Sequence, residues 1–271
     1  MAHDNLRHVR LLLVLFCTAR AAFAIDITSC GQTIPAGQVG TLTTDVSCGG
    51  AFVGVDLGNR ATLMMNGHDI RDAGGDGGVR CLSHCTISGP GEITSSLTPG
   101  VYLGDRGQLT IADVQIDNCD AGITSATQST HTKVLATGVN LIDNVQYGLF
   151  AARATLANVN AIGNTIGVLA LQRLRATVLV AGANAQVGVF ANRLTATSLT
   201  AQDNGDVGVQ AGRVHLTSSV VTNNHGDSGS ILVGHVIDLR AKRAVLVDSV
   251  CHYSQVLGGF TGQNLGVCTN D

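Results

Sequence analysis

The chain has 271 residues, of which 45% are hydrophobic and 13% charged, and its formal net charge is −3. Globular domains carry about 25% charged residues, whereas this chain holds only two Lys and one Glu. The scarcity of strong helix formers argues against a helical bundle or a doubly wound α/β fold. The hydrophobic content excludes a disordered chain, and the charge argues against nucleic-acid binding. We therefore expect an all-β protein.

Residues 1–24 have the pattern of a secretion signal. Arg7 and Arg10 precede an apolar run over residues 11–17, and Ala22-Phe23-Ala24 fits a cleavage site. The run is shorter than the ~20 residues that a membrane-spanning helix needs. We expect cleavage after Ala24, no membrane span, and a secreted, periplasmic or cell-surface protein.

Export allows disulfide bonds to form. The pairs Cys30/Cys48 and Cys251/Cys268 enclose the first and last segments of the mature chain, and we expect a bridge within each pair. The predicted boundaries are residues 1–24 for the signal, 25–50 for a bridged cap, 51–250 for the main domain and 251–271 for a bridged tail.

A third pair of cysteines has two interpretations. Cys81 and Cys85 could form a disulfide across their short loop, or they could bind zinc together with His84. The spacing is incomplete for a zinc site, and we expect no metal there. Cys119 is then left unpaired.

The middle of the chain is a repeat. A Gly followed by an aliphatic residue recurs at similar short intervals along the chain, and such self-similarity is typical of a solenoid. The repeating positions are Gly54, Gly78, Gly100, Gly122, Gly148, Gly167, Gly188 and Gly208, with a degenerate copy at Gly229-Ser230-Ile231.

Within each unit, apolar residues occur at i, i+2, i+5 and i+7, as at Leu194, Ala196, Leu199 and Ala201. A period of two indicates a strand with one buried face, and the change of phase indicates a corner. We expect about nine coils of roughly 20–24 residues. Each coil is followed by an Asn, a residue that tolerates a left-handed corner and can stack into a ladder. The predicted asparagine ladder is Asn144, Asn164, Asn184, Asn204 and Asn224, and Cys119 occupies the same position one coil earlier.

These patterns resemble the right-handed parallel β-helix proteins of the pectin-lyase-like superfamily, over about residues 50–250. The opening and closing cysteine segments resemble those of exported members. The resemblance implies a right-handed parallel β-helix. It does not imply one activity, because this scaffold carries lyases, hydrolases, epimerases, isomerases and adhesins. The Asn-Thr-Asp, Asp-Asp and Gly-His-Gly motifs of the pectin-hydrolysing members are absent.

One constant interval separates four arginines, which are Arg153, Arg173, Arg193 and Arg213. We expect Arg60 and Arg106 in the equivalent position of earlier coils. Coils about 4.8 Å apart would align the four guanidinium groups into a column. Arginine suits carboxylate and sulfate groups, so the column predicts a binding strip for an acidic polysaccharide. Alternatively, each arginine caps carbonyl groups at a corner. We name Arg153, Arg173, Arg193 and Arg213 the arginine column.

Other features are weaker. The Gly-rich loop over residues 72–78 could bind Ca²⁺, although its oxygen ligands are too few. Lys133 near Arg153 is the best candidate for a lyase base. A threonine column at Thr137, Thr177, Thr197 and Thr217 is typical of exposed strand positions.

We therefore predict an exported, non-enzymatic β-helix protein that binds an acidic glycan along the arginine column and needs no cofactor. A polysaccharide lyase or related carbohydrate-active enzyme, and a structural or adhesive rod, are the alternatives.

Overall fold

The computed structural model describes residues 24–50, 52–95, 97–126, 129–225, 237–252 and 254–256. These residues form strands, turns and bends without a helix. Within them, no helix is long and apolar enough to cross a membrane. Residues 1–23 of the predicted signal lie outside the described residues.

Within the described residues, twenty-four strands join in one sheet. In chain order they are β1 (Ile25–Ile27), β2 (Gln32–Ile34), β3 (Val39–Leu42), β4 (Val46–Ser47), β5 (Val55–Leu57), β6 (Ala61–Met64), β7 (Ile70–Arg71), β8 (Val79–Cys81), β9 (His84–Ser88), β10 (Glu92–Thr94), β11 (Val101–Leu103), β12 (Gln108–Ala112), β13 (Gln115–Asp117), β14 (Ile123–Ser125), β15 (Lys133–Thr137), β16 (Asn140–Ile142), β17 (Tyr147–Ile162), β18 (Ile166–Gly182), β19 (Val187–Gln202), β20 (Val207–Thr217), β21 (Val220–Thr222), β22 (Ile237–Val247), β23 (Val250–Cys251) and β24 (Ser254–Val256).

The strands stack in parallel columns that wind into a β-helix. One column runs through β5, β8, β11 and β14, then through the first residues of β17, β18, β19, β20 and β22. These nine strands mark about eight turns. The predicted all-β parallel β-helix is confirmed, with one turn fewer than the nine expected. The degenerate repeat at residues 229–231 lies outside the described residues, and the strand paired with β20 begins at Ile237.

The segment predicted as a cap is continuous with this sheet. Strands β1 to β4 pair in parallel with β3, β5, β6 and β7. The predicted bridge between Cys30 and Cys48 is present there. At the other end, Cys251 is buried and disulfide-bonded. Cys268 lies outside the described residues, so that pairing stays a prediction.

The repeating apolar positions form the core. Leu194, Ala196, Leu199 and Ala201 are at most 2% exposed. The corresponding residues of the neighbouring coils are also buried, which confirms the predicted alternation of strands and corners.

The left-handed corners lie one residue earlier than expected. We predicted this conformation for the ladder asparagines, but the residue before each of them has a φ between 50° and 73°. A left-handed residue here turns the chain so that the following amide points inward, where it is buried. The left-handed residues are Asp143, Gly163, Ala183, Asp203 and Asn223.

The repeated glycines make room for those amides. A Cβ on Gly188 would lie 2.7 Å from Asn204 Nδ2 and 2.7 Å from the carbonyl oxygen of Gly208. The same two kinds of atom crowd Gly122, Gly148 and Gly167. The glycine is therefore required by close packing against the ladder. Its φ is not in the left-handed range.

Candidate anion-binding face

The arginine column exists as a spatial column. Arg153 pairs in register with Arg173, Arg173 with Arg193, and Arg193 with Arg213. All four side chains are exposed on the outer surface of the sheet. Strands about 4.8 Å apart make the column roughly 15 Å long.

Two further cations extend it. Lys133 pairs in register with Arg153 at one end, and Arg243 pairs with Arg213 at the other. In earlier coils the position is held by Gln108 and then His84. The sequence pattern missed Arg243 because its coil is longer than the constant interval between the four arginines.

The expectation for the two early arginines is half right. Arg60 directly precedes Ala61, which pairs with Cys85, so Arg60 stands level with His84 in the column. Arg106 lies two residues before Gln108 and is outside the column, because a short turn precedes β12.

The arginine column carries no internal partners in the described part of the chain. There, no Asp or Glu carboxylate lies within 4.0 Å of any of its guanidinium groups. None of the four side chains donates a hydrogen bond to a described carbonyl group, as the corner-capping alternative requires. The charges are therefore available to a ligand.

A pocket of about 320 Å³ opens on this column. Arg153, Arg173 and Arg193 line it together with Gln172 and Asn192. The two amides add hydrogen-bond donors and acceptors to three cations, a combination that suits an anionic group attached to a hydroxylated molecule.

A bulge in β18 places the Gln172 amide. The register between β17 and β18 shifts after Ala151 and resumes at Arg153, so β18 contains one extra residue. Gln172 Nε2 donates a hydrogen bond of 2.9 Å to the carbonyl oxygen of Thr130, two coils away. The sequence held a signal for this bulge, since Arg173 follows Gly167 by six positions, whereas the neighbouring arginines follow their glycines by five.

The threonine positions lie beside the arginines. Thr137, Thr177, Thr197 and Thr217 occupy one column, in which Ala157 interrupts the series. Between the two columns stand Thr155, Arg175, Thr195 and His215. The face thus combines cations with hydroxyl groups.

The asparagine ladder lies inside the β-helix. Asn184 is typical: its backbone N–H and its Nδ2 both donate to Asn204 Oδ1, at 3.2 and 2.8 Å, and its Nδ2 also donates to the carbonyl oxygen of Ala161. Asn144, Asn164 and Asn204 repeat this arrangement, and Asn224 donates to Asp238 Oδ1 instead. Asp238 is fully buried at the end of the ladder, a role that the sequence pattern did not indicate.

The remaining cysteines are structural. Cys81 and Cys85 form a disulfide, so the zinc interpretation with His84 is wrong. Cys119 is a free, buried thiol in the ladder position, and its backbone N–H donates to Asn144 Oδ1. Burial raises the pKa of this thiol to about 12, which makes it a poor nucleophile.

Carboxylates gather on a different face, in the first half of the solenoid. Asp45 Oδ1 accepts a hydrogen bond from the backbone N–H of Asp69, and Asp69 Oδ1 accepts one from that of Glu92. Asp117 lies one coil further on, and Arg71 is paired with Asp69 at 2.6 Å. We name Asp45, Asp69, Glu92 and Asp117 the carboxylate patch.

The patch shifts the pKa values of its members. Partial burial and a hydrogen bond with Asp117 raise the pKa of Glu92. The backbone N–H of Asp69 and the side chain of His68 lower the pKa of Asp45. Carboxylates thus crowd each other around Glu92.

One carboxylate of the predicted Ca²⁺ loop, that of Asp76, belongs to an ion-pair network. Arg80 contacts Asp76 at 3.0 Å and Asp56 at 2.6 Å. Nowhere in the described ranges do three or more His, Cys, Asp or Glu side chains form a group that could hold a metal ion.

Comparison with known proteins gave no match, either to a protein-family model, to a curated protein or to a solved structure.

Proposed function

We propose that this chain is an exported β-helix protein of the pectin-lyase-like type that binds an acidic polysaccharide along the arginine column. The observation that carries the proposal is the alignment on one face of four exposed arginines that have no internal partner among the described residues. Like charges this close repel unless an anion neutralises them. A polymer that carries many anionic groups would do so along the whole column.

The neighbouring side chains suit a sugar. Guanidinium groups bind carboxylate or sulfate groups through paired hydrogen bonds. Gln172 and Asn192 on one side, and the threonines on the other, offer partners for hydroxyl groups. A linear acidic glycan lying parallel to the solenoid axis would contact one cation per coil.

The lyase alternative lacks a local acidic partner. Lys133 and Arg153 are neighbours in register, as a catalytic pair would require. However, the pocket on the arginine column is lined by no carboxylate. The carboxylate patch lies at another side of the solenoid: Asp45 and Asp69 directly precede β4 and β7, and Glu92 and Asp117 lie on β10 and β13. We therefore favour binding over cleavage.

The test is affinity electrophoresis of residues 25–271 through gels that contain polygalacturonate, alginate or heparin. We expect retardation that fades as salt rises, because screening weakens exposed charge pairs. Arg173→Ala combined with Arg193→Ala should weaken binding by about tenfold, which corresponds to roughly 1.4 kcal/mol. Absence of retardation on all three polymers would refute the proposal.

Two controls separate site binding from general charge. Arg106→Ala removes an exposed arginine outside the column and should change retardation little. Arg173→Lys combined with Arg193→Lys keeps the charge but removes the paired hydrogen bonds, so we expect an intermediate loss. Release of unsaturated sugar products from a bound polymer would instead support the lyase alternative.

Export is tested separately. The mass of the protein collected outside the producing cell should correspond to a chain that begins at Ile25. A mass that retains residues 1–24 would contradict the predicted cleavage.

A further inference from the structure

The charges of the mature chain are divided between its two halves. Residues 25–132 contain four Lys or Arg and eleven Asp or Glu, a formal net charge of −7. Residues 133–271 contain nine Lys or Arg and seven Asp, a net charge of +2. The mature chain therefore has an acidic first half and a basic second half.

The acidic half presents its charges in a column. Asp45, Asp69 and Glu92 occupy successive coils, joined by the hydrogen bonds from one backbone N–H to the preceding carboxylate. The side chain of Asp45 is 55% exposed. Among the described residues, Arg71 and His68 are the only basic side chains paired with this patch, so negative charge is in excess.

The basic half presents the opposite charge at the same spacing. The arginine column also places one charge on each coil, and its four side chains have no carboxylate partner in the described residues. Because both columns belong to one parallel β-helix, both repeat at about 4.8 Å along the axis. The two patches lie at different heights and on different sides of the rod, so one molecule cannot bring them together.

We infer that the arginine column also binds a second copy of this chain, through the carboxylate patch of that copy. Charge complementarity and equal spacing allow several arginine–carboxylate pairs to form when two rods lie side by side. The contact joins two different surfaces. When the arginine column of one copy binds the carboxylate patch of another, the patch of the first copy and the column of the second remain free to bind further copies. Such a contact produces open chains of molecules rather than closed dimers.

This inference uses the arginines of the proposed glycan site but does not depend on glycan binding. An acidic polymer would compete with the second copy for the same cations. Exposed charge pairs are individually weak and sensitive to salt, so the assembly should form at low ionic strength and dissolve as salt rises.

The test is sedimentation velocity of residues 25–271 at low and at high salt. At low salt we expect the weight-average mass to rise at least twofold with protein concentration, and at high salt to equal one chain. A chain that remains monomeric at every concentration and salt level overturns the inference.

Charge reversal identifies the surfaces. Arg173→Glu with Arg193→Glu removes the column, and Asp45→Lys with Glu92→Lys removes the patch. Each variant alone should be monomeric, whereas their equimolar mixture should associate again. The native column of one variant can bind the native patch of the other, and the two charge-reversed surfaces are also complementary. A mixture that stays monomeric while both variants are folded by circular dichroism overturns the inference.

A variant that removes the charges without reversing them carries a smaller risk of misfolding. Retardation on acidic polysaccharide, measured on the same variant, separates the two proposals. Asp45→Asn with Glu92→Gln should lose self-association and keep its retardation on acidic polysaccharide. Retardation without self-association in the unmodified chain would leave only the glycan proposal. Self-association without retardation would support binding of a second copy of the chain and contradict glycan binding.

Discussion

The first and second halves of the solenoid form one parallel β-helix, but they differ in coil length and in the side chains that fill the interior. From Val55 to Leu149 the steps between equivalent residues are long and unequal, whereas from Leu149 to Val209 they are shorter and nearly constant. The first half fills its interior mainly with large aliphatic side chains and two disulfides. The second half combines many buried alanines with the asparagine ladder.

The surface charges follow the same division. In the first half, Arg71 and Arg80 are paired with aspartates. In the second half, the arginine column is exposed without such partners among the described residues. The regular half therefore offers a binding surface, because equal coil lengths bring equal residues into register.

The ladder should be the most sensitive element of the regular half. Asn184→Ala removes the acceptor of the buried backbone N–H of Asn164 and the side-chain donor to the carbonyl oxygen of Ala161. Asn164 Nδ2 also loses one acceptor but keeps the carbonyl oxygens of Leu141 and Ile162. Each buried unpaired group costs about 1–3 kcal/mol, so we expect a loss of about 4 kcal/mol in the free energy of unfolding. Urea denaturation measures it. Asn160→Ala, on the outer surface of the same kind of coil, should lose less than about 1 kcal/mol, and equal losses would show that the ladder has no special role.

The disulfides should matter most to the irregular half. Replacing Cys30 and Cys48 by Ser opens a bridge with a sequence separation of 18, and we expect a loss of about 3 kcal/mol. Replacing Cys81 and Cys85, whose sequence separation is four, should cost about 2 kcal/mol. Hydrogen exchange under reducing conditions should show faster exchange over residues 25–95 than over residues 147–217. Uniform acceleration along the chain would contradict a division into two halves.

Substitution of two glycines tests whether the repeated glycine is required by close packing or by backbone conformation. Gly188→Ala places a Cβ against Asn204 Nδ2, and overpacking of this kind costs about 1–3 kcal/mol. Gly182→Ala is the matched control in the preceding coil, because its Cβ would meet only the carbonyl oxygen of Gln202, at 3.5 Å. Thermal melts should show a lower midpoint for the first variant and an unchanged or raised midpoint for the second. If both variants melt alike, packing against the ladder does not explain the repeated glycine.

The carboxylate patch should make the free energy of unfolding depend weakly on pH, and the pKa shifts of Glu92 and Asp45 predict the sign of each contribution. The pKa of Glu92 is raised in the folded chain, so its ionisation opposes folding as pH rises above about 4.3, the ordinary glutamate value. Glu92→Gln should therefore match the unmodified chain near pH 4 and exceed its stability at neutral pH. Asp45→Asn should do the opposite, losing stability at neutral pH, because the pKa of Asp45 is lowered. Urea midpoints at the two pH values measure both, and a common sign would contradict these pKa directions.

Sequence reasoning predicted the regular half better than the irregular half. The ladder residues and the arginine column recur at a constant or nearly constant interval, so their alignment could be inferred before any coordinates. The carboxylate patch could not, because Asp45, Asp69, Glu92 and Asp117 belong to coils of unequal length. The contact of Gln172 with Thr130 could not be predicted either. The sequence spacing signals the one-residue bulge, but the contact spans two coils.

The sequence by itself determined the class of fold, the inward positions and the asparagine ladder, and it indicated the bridge between Cys30 and Cys48. These depend on local alternation and on a repeat length, which a linear pattern records directly. Only the tertiary structure decided that Lys133 and Arg243 extend the arginine column, that Asp238 ends the ladder, and that the carboxylates lie on another side of the rod. Those features depend on the register between coils, which is set by packing around the core once bulges and longer connections have been accommodated.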